Sequence, residues 1–395
     1  MSSKLKPIEV YSLFELEIER IVTGGYGLGH YAGKVVLVPL ASPGDRLKVK
    51  PYKIHENFCK AEIVEIIKPS PYRIAPVCKY FGECGGCDFQ HLNYETQLEV
   101  KVEIIKDCLR RIGKIDPPDK IPIIHSDEMF GYRLRAHWHF SLAESKAGYF
   151  RRDSNEIVDI ELCPILSPNL QKFLIEMRGR LESEKFSNDK GHVEVVSNET
   201  DVSVASDVFK DEPRDIQVKV GDNIYFLNAR SFFQANRFLL EKLIELAIEG
   251  ASGTTCLDLY CGVGFFTLPL AKNFKTVLAV EQARESILLA MKSAKAAGLE
   301  NIKFHSQKVR DFLKQNQQFF DFILIDPPRT GVEKEVLESL LKLAPFEICY
   351  VSCDPATLAR DLRRLSAKYK ITSVKAIDMF PQTHHIETVV RLRKI

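Results

Sequence analysis

The sequence predicts a multidomain α/β protein, with a small OB-like β-barrel first, a β-rich unit in the middle and a Rossmann-like α/β domain last. Three observations predict it. Short β-type runs alternate with turn signals over residues 8 to 68, and after a cysteine-rich loop and a helix the pattern turns to strands from about 120 to 225. From about 231, strand and helix patterns alternate to the end. The units are drawn at 1–68, 69–230 and 231–395.

At 45% hydrophobic and 27% charged residues, the 395-residue chain has the composition of an ordinary soluble protein, which argues against long disorder. Lysine and arginine number 55 against 53 aspartates and glutamates, so a nucleic-acid surface would have to be local. The start, MSSKLKPIEV, lacks the apolar core of a signal peptide and no apolar run is long enough to span a bilayer, so a cytoplasmic location and no membrane partner are expected. Ten cysteines then divide among metal ligation, catalysis and packing.

In the first unit LFELEIERIV, KVVLVPL, DRLKVKPYKI and AEIVEII are separated by turn signals at GGYGLG, Ala32-Gly33 and SPGD. Alternation in RLKVK sets Arg46, Lys48 and Lys50 on one strand face, with Lys53 nearby: a track for a phosphate backbone, or a solvated face. Residues 93 to 112 read as a helix with Asn93 as N-cap, Gly113 as stop and Leu98, Val102, Ile105, Leu109 and Ile112 as its apolar stripe. The middle strands are YRLRAHWHF, GYFRR, HVEVV, DVSVA, IQVKV and NIYFL. The last unit opens with the helix NRFLLEKLIELAIEG, and its strands are TTCLDLY, TVLAVE, NIKFHS, FDFILID, EICYVS, ITSVKAI and ETVVRLR.

DLYCGVGFFTLPLA places Gly262 and Gly264 between a strand and a helix, where backbone must approach a ligand. Glu281 ends the next strand about 20 residues on, where a carboxylate can take the two hydroxyls of a ribose. The third glycine of a dinucleotide fingerprint is missing, since Thr267 stands there, so a nucleoside without phosphates such as S-adenosylmethionine fits better.

FDFILIDPPRTG puts Asp326 at a strand tip before two stiff prolines, a wall suited to a flat base or to a sulfonium. Amino-group methyltransferases carry an aromatic at the fourth position of such a turn, and here it is Arg329. The following strand ends in Cys353, which suits another chemistry. C5 of uracil is a poor nucleophile until a thiolate adds at C6, after which a base must take the C5 proton. DMFPQTHHIETVV offers Glu387 for that task, beside His384 and His385. Cys59, Cys108, Cys256 and Cys349 read as core residues.

Cys78, Cys84 and Cys87 form C-x5-C-x2-C, with Gly85 and Gly86 freeing the backbone to wrap a centre. Cys163, followed by proline, is the candidate fourth ligand of an iron-sulfur cluster, with a four-thiolate zinc as the alternative.

Taken together, CKYFGECGGCDFQHL, GYRLRAHW, GYFRRDSNEIVDIELCPIL, SFFQAN, DLYCGVGFFTLPLA, DPPRTG, SCDPATLARD and DMFPQTHHIE resemble the RNA 5-methyluridine (uracil-C5) methyltransferases that carry a TRAM domain and a 4Fe-4S cluster. The resemblance covers nearly the whole chain. It implies Cys353 as nucleophile, Glu387 as base, Gln234, Tyr260, Glu281 and Asp326 as contacts to S-adenosylmethionine, and Cys78, Cys84, Cys87 and Cys163 as cluster ligands. It further implies a helix at about 93 to 119 packed on the catalytic domain and RNA as partner, 23S rRNA ahead of tRNA, with a monomer expected. Phe265 and Lys308 depart from the family's usual Asn and Asn or Asp. The competing readings are an exocyclic-amine methyltransferase, which would not need Cys353, and a non-catalytic RNA-binding factor, which would have no use for Cys353 or Glu387.

Overall fold

The computed structural model describes residues 8–183, 189–209 and 212–395. Most of the opening segment used in the localisation reading, residues 1–7, lies outside them. Among the described residues, no helix is long and apolar enough to cross a membrane.

The first sheet consists of β1 (Phe14–Glu17), β2 (Arg20–Val22), β3 (Tyr26–Tyr31), β4 (Lys34–Pro39), β5 (Arg46–Ile54) and β6 (Phe58–Lys68), in the order β1-β5-β6-β4-β3-β2. Its core holds Phe14, Leu16, Ile18, Val36, Val38, Leu47, Val49 and Ala61. GGYGLG, read as a turn, is mostly strand: only Gly24 and Gly25 turn, both at positive φ. Its other glycines serve close approach, since a Cβ on Gly29 would lie 2.3 Å from the Glu17 carbonyl oxygen and one on Gly27 2.7 Å from the Ala41 methyl. The basic stripe on β5 is largely neutralised, with Arg46 paired to Glu15 at 2.6 Å and Lys50 to Glu62 at 2.8 Å.

Helix α1 (Tyr94–Cys108) starts where the Asn93 side chain accepts the Thr96 N–H, and a π-turn over Leu109–Gly113 ends it. The implied extension to 119 is absent: Lys114 is left-handed, and Pro117-Pro118 cannot continue a helix. The buried face is also rotated from the expected stripe. It carries Gln97, Val100, Lys101, Ile104, Ile105 and Cys108, while Leu98 and Val102 are half-buried. Two polar residues on the core face hid the periodicity. This face shares a core with Leu358 and Leu362 of the last unit.

Beyond the short β7 (Ile123–Ile124), the middle sheet contains β8 (Arg135–Ser141), β9 (Lys146–Phe150), β10 (Ile157–Asp159), β11 (Lys190–Ser197) and β12 (Val202–Ser206), in the order β10-β9-β8-β11-β12. Helix α2 (Pro168–Ser183) lies between β10 and β11 in the chain, and its Leu170, Leu174 and Met177 pack on Trp138, Val193 and Val195. The hairpin β13 (Ile216–Val220) and β14 (Asn223–Leu227) falls on the middle side of the boundary drawn at 230. Its apolar face nevertheless joins the core of the last unit with Leu243, Phe265 and Phe266.

The last unit runs α3 (Leu240–Ile248), β15 (Gly253–Leu259), α4 (Thr267–Asn273), β16 (Phe274–Glu281), α5 (Arg284–Ala296), β17 (Ile302–Ser306), α6 (Val309–Gln315), β18 (Phe322–Ile325), α7 (Lys334–Leu343), β19 (Glu347–Ser352), α8 (Pro355–Leu365), β20 (Tyr369–Ile377) and β21 (Glu387–Lys394). Its sheet is ordered β17-β16-β15-β18-β19-β21-β20-β7. The strands from β17 to β19 are parallel, and β21 runs antiparallel to both its neighbours. Strand order reverses between β15 and β18, the place where open α/β sheets bind ligands beyond their carboxyl ends.

Candidate active site

Register places the sequence-selected residues in a row. Leu259 pairs with Val280 and Ile325, Ile325 with Tyr350, and Ser352 with Thr388. The next residue at each end is Glu281, Tyr260, Asp326 and Cys353. Because β21 is antiparallel, its first residue, Glu387, comes to the same edge beside Cys353. Five neighbouring strands thus present a nucleoside-type end (Glu281, Tyr260), an acidic middle (Asp326) and a thiol-carboxyl end (Cys353, Glu387).

At the nucleoside end Tyr260 has φ 64°, and Gly262 and Gly264 are left-handed as well. The Gly262 and Ala283 N–H groups donate to the two oxygens of Glu281, at 3.3 and 2.8 Å, and so orient its carboxylate. Asp258, not singled out in the sequence, is fully buried below this loop. It accepts from the Thr267 hydroxyl, keeps one oxygen without a partner, and is pushed by burial up to about 7. Its signal was a carboxylate inside an apolar strand. Phe265 is buried against Tyr225 and Phe233, and Lys308 is the N-cap of α6.

Gln234 is buried and donates to Asp326 Oδ2 at 3.5 Å. Asp326 is half-buried as a residue, but its carboxyl lies deep, and burial with neighbouring Glu387 and Asp258 drives it well above the usual carboxylate range. Cys353 follows β19 on a sharp turn: Asp354 caps α8 by accepting the Thr357 N–H at 2.7 Å, and Pro355 is the first helical residue. Burial and the adjacent Glu387 push the thiol up to about 12, while the Arg329 guanidinium pulls it down. Glu387 is buried, with one carboxylate oxygen lacking any partner, and burial raises it to about 7 against the pull of Arg329. Arg329 also approaches His385 Nε2 at 3.4 Å.

The turn before Glu387 is clasped by early parts of the chain. Asp378 receives the fully buried Lys101 ammonium at 2.6 Å and the Tyr94 hydroxyl at 3.0 Å. Gln97 exchanges hydrogen bonds with Gln382, the Asp88 and Phe89 N–H groups donate to the Gln382 carbonyl, and the Tyr132 hydroxyl donates to the Pro381 carbonyl. Asp88 accepts from His384 Nδ1 at 2.6 Å and from Arg152 at 2.6 Å. Asp88 adjoins Cys87, whose carbonyl accepts from Arg152 as well.

Cys78, Cys84, Cys87 and Cys163 line one cavity with Tyr149, Arg133 and Ile160. Gly85 keeps the loop close to β9, since a Cβ would lie a tight 3.0 Å from the Phe150 carbonyl oxygen. The Cys78 and Cys163 N–H groups are taken by Gln90 and Gln171. Burial pushes the Cys87 and Cys163 thiols up to about 12.

A family model described as tRNA (Uracil-5-)-methyltransferase matches residues 183–395, more than half of the chain. The chain belongs to this uracil-C5 RNA methyltransferase family. It is an S-adenosylmethionine-dependent enzyme of that type. An RNA methyltransferase of Synechocystis, named as uncharacterized, is 32% identical over 97% of this chain and 96% of its own. A 23S rRNA (uracil(1939)-C(5))-methyltransferase of Marinomonas is 31% identical over 100% of this chain and 97% of its own. The Pyrococcus abyssi tRNA (uracil-54, C5)-methyltransferase, solved with S-adenosyl-L-homocysteine, aligns with a TM-score of 0.76 and 25% identity over 95% of this chain and 99% of that one. This uracil-C5 methyltransferase therefore shares its architecture with that enzyme along nearly its full length.

Proposed function

We propose that the protein methylates C5 of a uridine in large-subunit rRNA, with Cys353 as nucleophile and Glu387 as base. The observation that carries this reading is the pairing of strand ends that sets a half-buried thiol beside a buried carboxyl with an unpartnered oxygen. Cys353 as thiolate adds its electron pair to C6, and the C5–C6 pair moves toward the C4 oxygen, so that C5 becomes nucleophilic. S-adenosylmethionine supplies the methyl group when bound. Glu387 then takes the C5 proton, the double bond reforms and the thiolate leaves. Arg329 favours the thiolate, and Gln234 with Asp326 offers hydrogen bonds to the base edge or to the cofactor. Glu281, Tyr260 and Gly262 would hold the nucleoside part of the cofactor.

The four-cysteine cavity supports a 4Fe-4S cluster over a single zinc. Sulfurs around one zinc ion, at about 2.3 Å each, would stand roughly 3.8 Å apart. Yet among the described residues these thiols form no group of three within 4.8 Å of one another. Its role here is structural, a brace for Asp88 and hence for the turn before the base. The first sheet is read as the TRAM barrel and, with the middle unit, as the RNA-binding part of a monomer.

The full-length relative named for 23S rRNA supports the ribosomal substrate, and the structural neighbour named for tRNA supports the second reading, a T-loop uridine. The test is incubation of the protein and S-adenosylmethionine with 5-fluorouridine-substituted large-subunit rRNA fragments and, separately, tRNA, followed by denaturing electrophoresis. Fluorine cannot leave as a proton, so a covalent complex persists with the true substrate class, and Cys353→Ala abolishes it. An adduct that survives Cys353→Ala overturns the mechanism, and one formed only with tRNA overturns the ribosomal assignment.

A further inference from the structure

The outward face of the middle sheet carries a second constellation, remote in role from the methyl-transfer residues. His137 and His139 alternate outward on β8 while Ala136, Trp138 and Phe140 point into the core. On the neighbouring strand β11, His192 and Glu194 do the same, and the register sets His192 opposite His139 and Glu194 opposite His137. Three imidazoles and a carboxylate therefore occupy a two-by-two patch on adjacent antiparallel strands. Ligand atoms of His137, His192 and Glu194 all lie within 4.8 Å of one another.

We propose that His137, His192 and Glu194 form a binding site for a divalent transition-metal ion of the zinc class. Two imidazoles and one carboxylate are a donor set of borderline softness, which favours zinc over the hard cations calcium and magnesium. The set is also oriented from outside. Asp207 accepts the His192 backbone N–H at 3.0 Å and stands 3.1 Å from His192 Nδ1, so Nδ1 carries the proton and Nε2 presents its lone pair. His137 is held between the His139 and His192 rings, and His139 is stacked on Phe150 at 3.7 Å. A metal here would pin β8 to β11, in the sheet whose Phe150 carbonyl holds the Gly85 N–H of the cysteine loop.

The experiment uses the purified, cluster-loaded full chain, dialysed free of loosely held metal and then equilibrated with buffered Zn²⁺, with zinc and iron counted per chain. One zinc is expected with the iron content unchanged. His137→Ala and His192→Ala each lower the affinity at least tenfold, and Asp207→Asn lowers it by about 10–100-fold through the lost orientation of His192. These residues are partly exposed, so thermal melts of the metal-free variants should match the parent. Zinc retained equally by the His137/His192 double variant would belong to the thiols and would overturn the proposal. Loss of RNA affinity in that variant, with no zinc bound by the parent, would assign the patch to RNA contact and overturn it as well.

Discussion

Glu387 and Asp88 are both buried carboxylates, one at the start of β21 and the other bonded to His384 in the turn before it, and they are set in opposite directions. For Asp88 burial opposes ionisation, but the hydrogen bond and charge of His384 and the guanidinium of Arg152 outweigh it, and the group is held far below the usual carboxylate range. Glu387 has burial and an oxygen without a partner, and rises to about 7, a penalty on its ionised form of ~3 kcal/mol. One carboxylate holds a turn and the other keeps an unpartnered oxygen. Pairing, not burial, separates scaffold from chemistry here.

The sharpest way to break the comparison is Glu387→Gln. Turnover is expected to fall on the order of 10²–10⁴-fold. Thiol addition should persist, because the substitution also removes a charge that raises Cys353. Ordinary, unfluorinated RNA should then accumulate as a methylated covalent complex on a denaturing gel; turnover lost with no such complex would deny Glu387 its role.

Asp88→Asn should cost less, about 10–100-fold in turnover, by letting the turn shift. It should also raise the steady-state fraction of covalent complex on ordinary RNA at unchanged iron content. Equal losses in formation and release of the complex would mean that Asp88 only stabilises the fold.

The two groups also predict opposite pH dependences. Glu387 has a raised folded-state pKa, so its contribution to stability is present below about pH 4.5 and is lost as pH rises through about 7. Asp88 has a lowered one, so its contribution is present above its ordinary pKa of 3.8 and is lost as pH falls below it. Denaturant melts of wild type and Glu387→Gln at about pH 5 and about pH 8 should converge in the acid and diverge in the neutral range, with the variant the more stable there. Release of the covalent complex should rise with pH around a midpoint near 7 in wild type alone.

Smallest is Gly29→Ala in the first sheet. The Cβ meets the Glu17 carbonyl oxygen, so a loss of roughly 1–3 kcal/mol in that unit is expected, read as a lower melting midpoint with methyl transfer per folded molecule unchanged.

What was legible in the sequence follows the same division. The strand-end residues Glu281, Asp326 and Cys353 were readable because apolar runs broke sharply at each of them, and the strands that carry them form as read. Glu387 needed Cys353 beside it, a relation created only by an antiparallel last strand. The scaffold side was hidden. Lys101 and Gln97 look like solvent residues on a helix, yet both are buried on Asp378 and Gln382, which rotated the apparent stripe of α1. Strand β3 was hidden by glycines that look like a turn and are there for close approach. Long-range polar pairs leave no periodicity behind, so they cannot be seen before the chain is folded.

The clasp on the turn from Asp378 to His384 has a consequence in time. Its bonds join residues that lie between 249 and 296 positions apart, so the platform is synthesised well before the turn. Strand β21, which begins at Glu387, must also slot between β19 and β20 before the sheet is whole. The residues that hold the turn are therefore in place long before the turn they hold. Docking of β21 between β19 and β20 completes the sheet, seats the turn and brings Glu387 to the edge beside Cys353 together, so the site is assembled in one late step of folding.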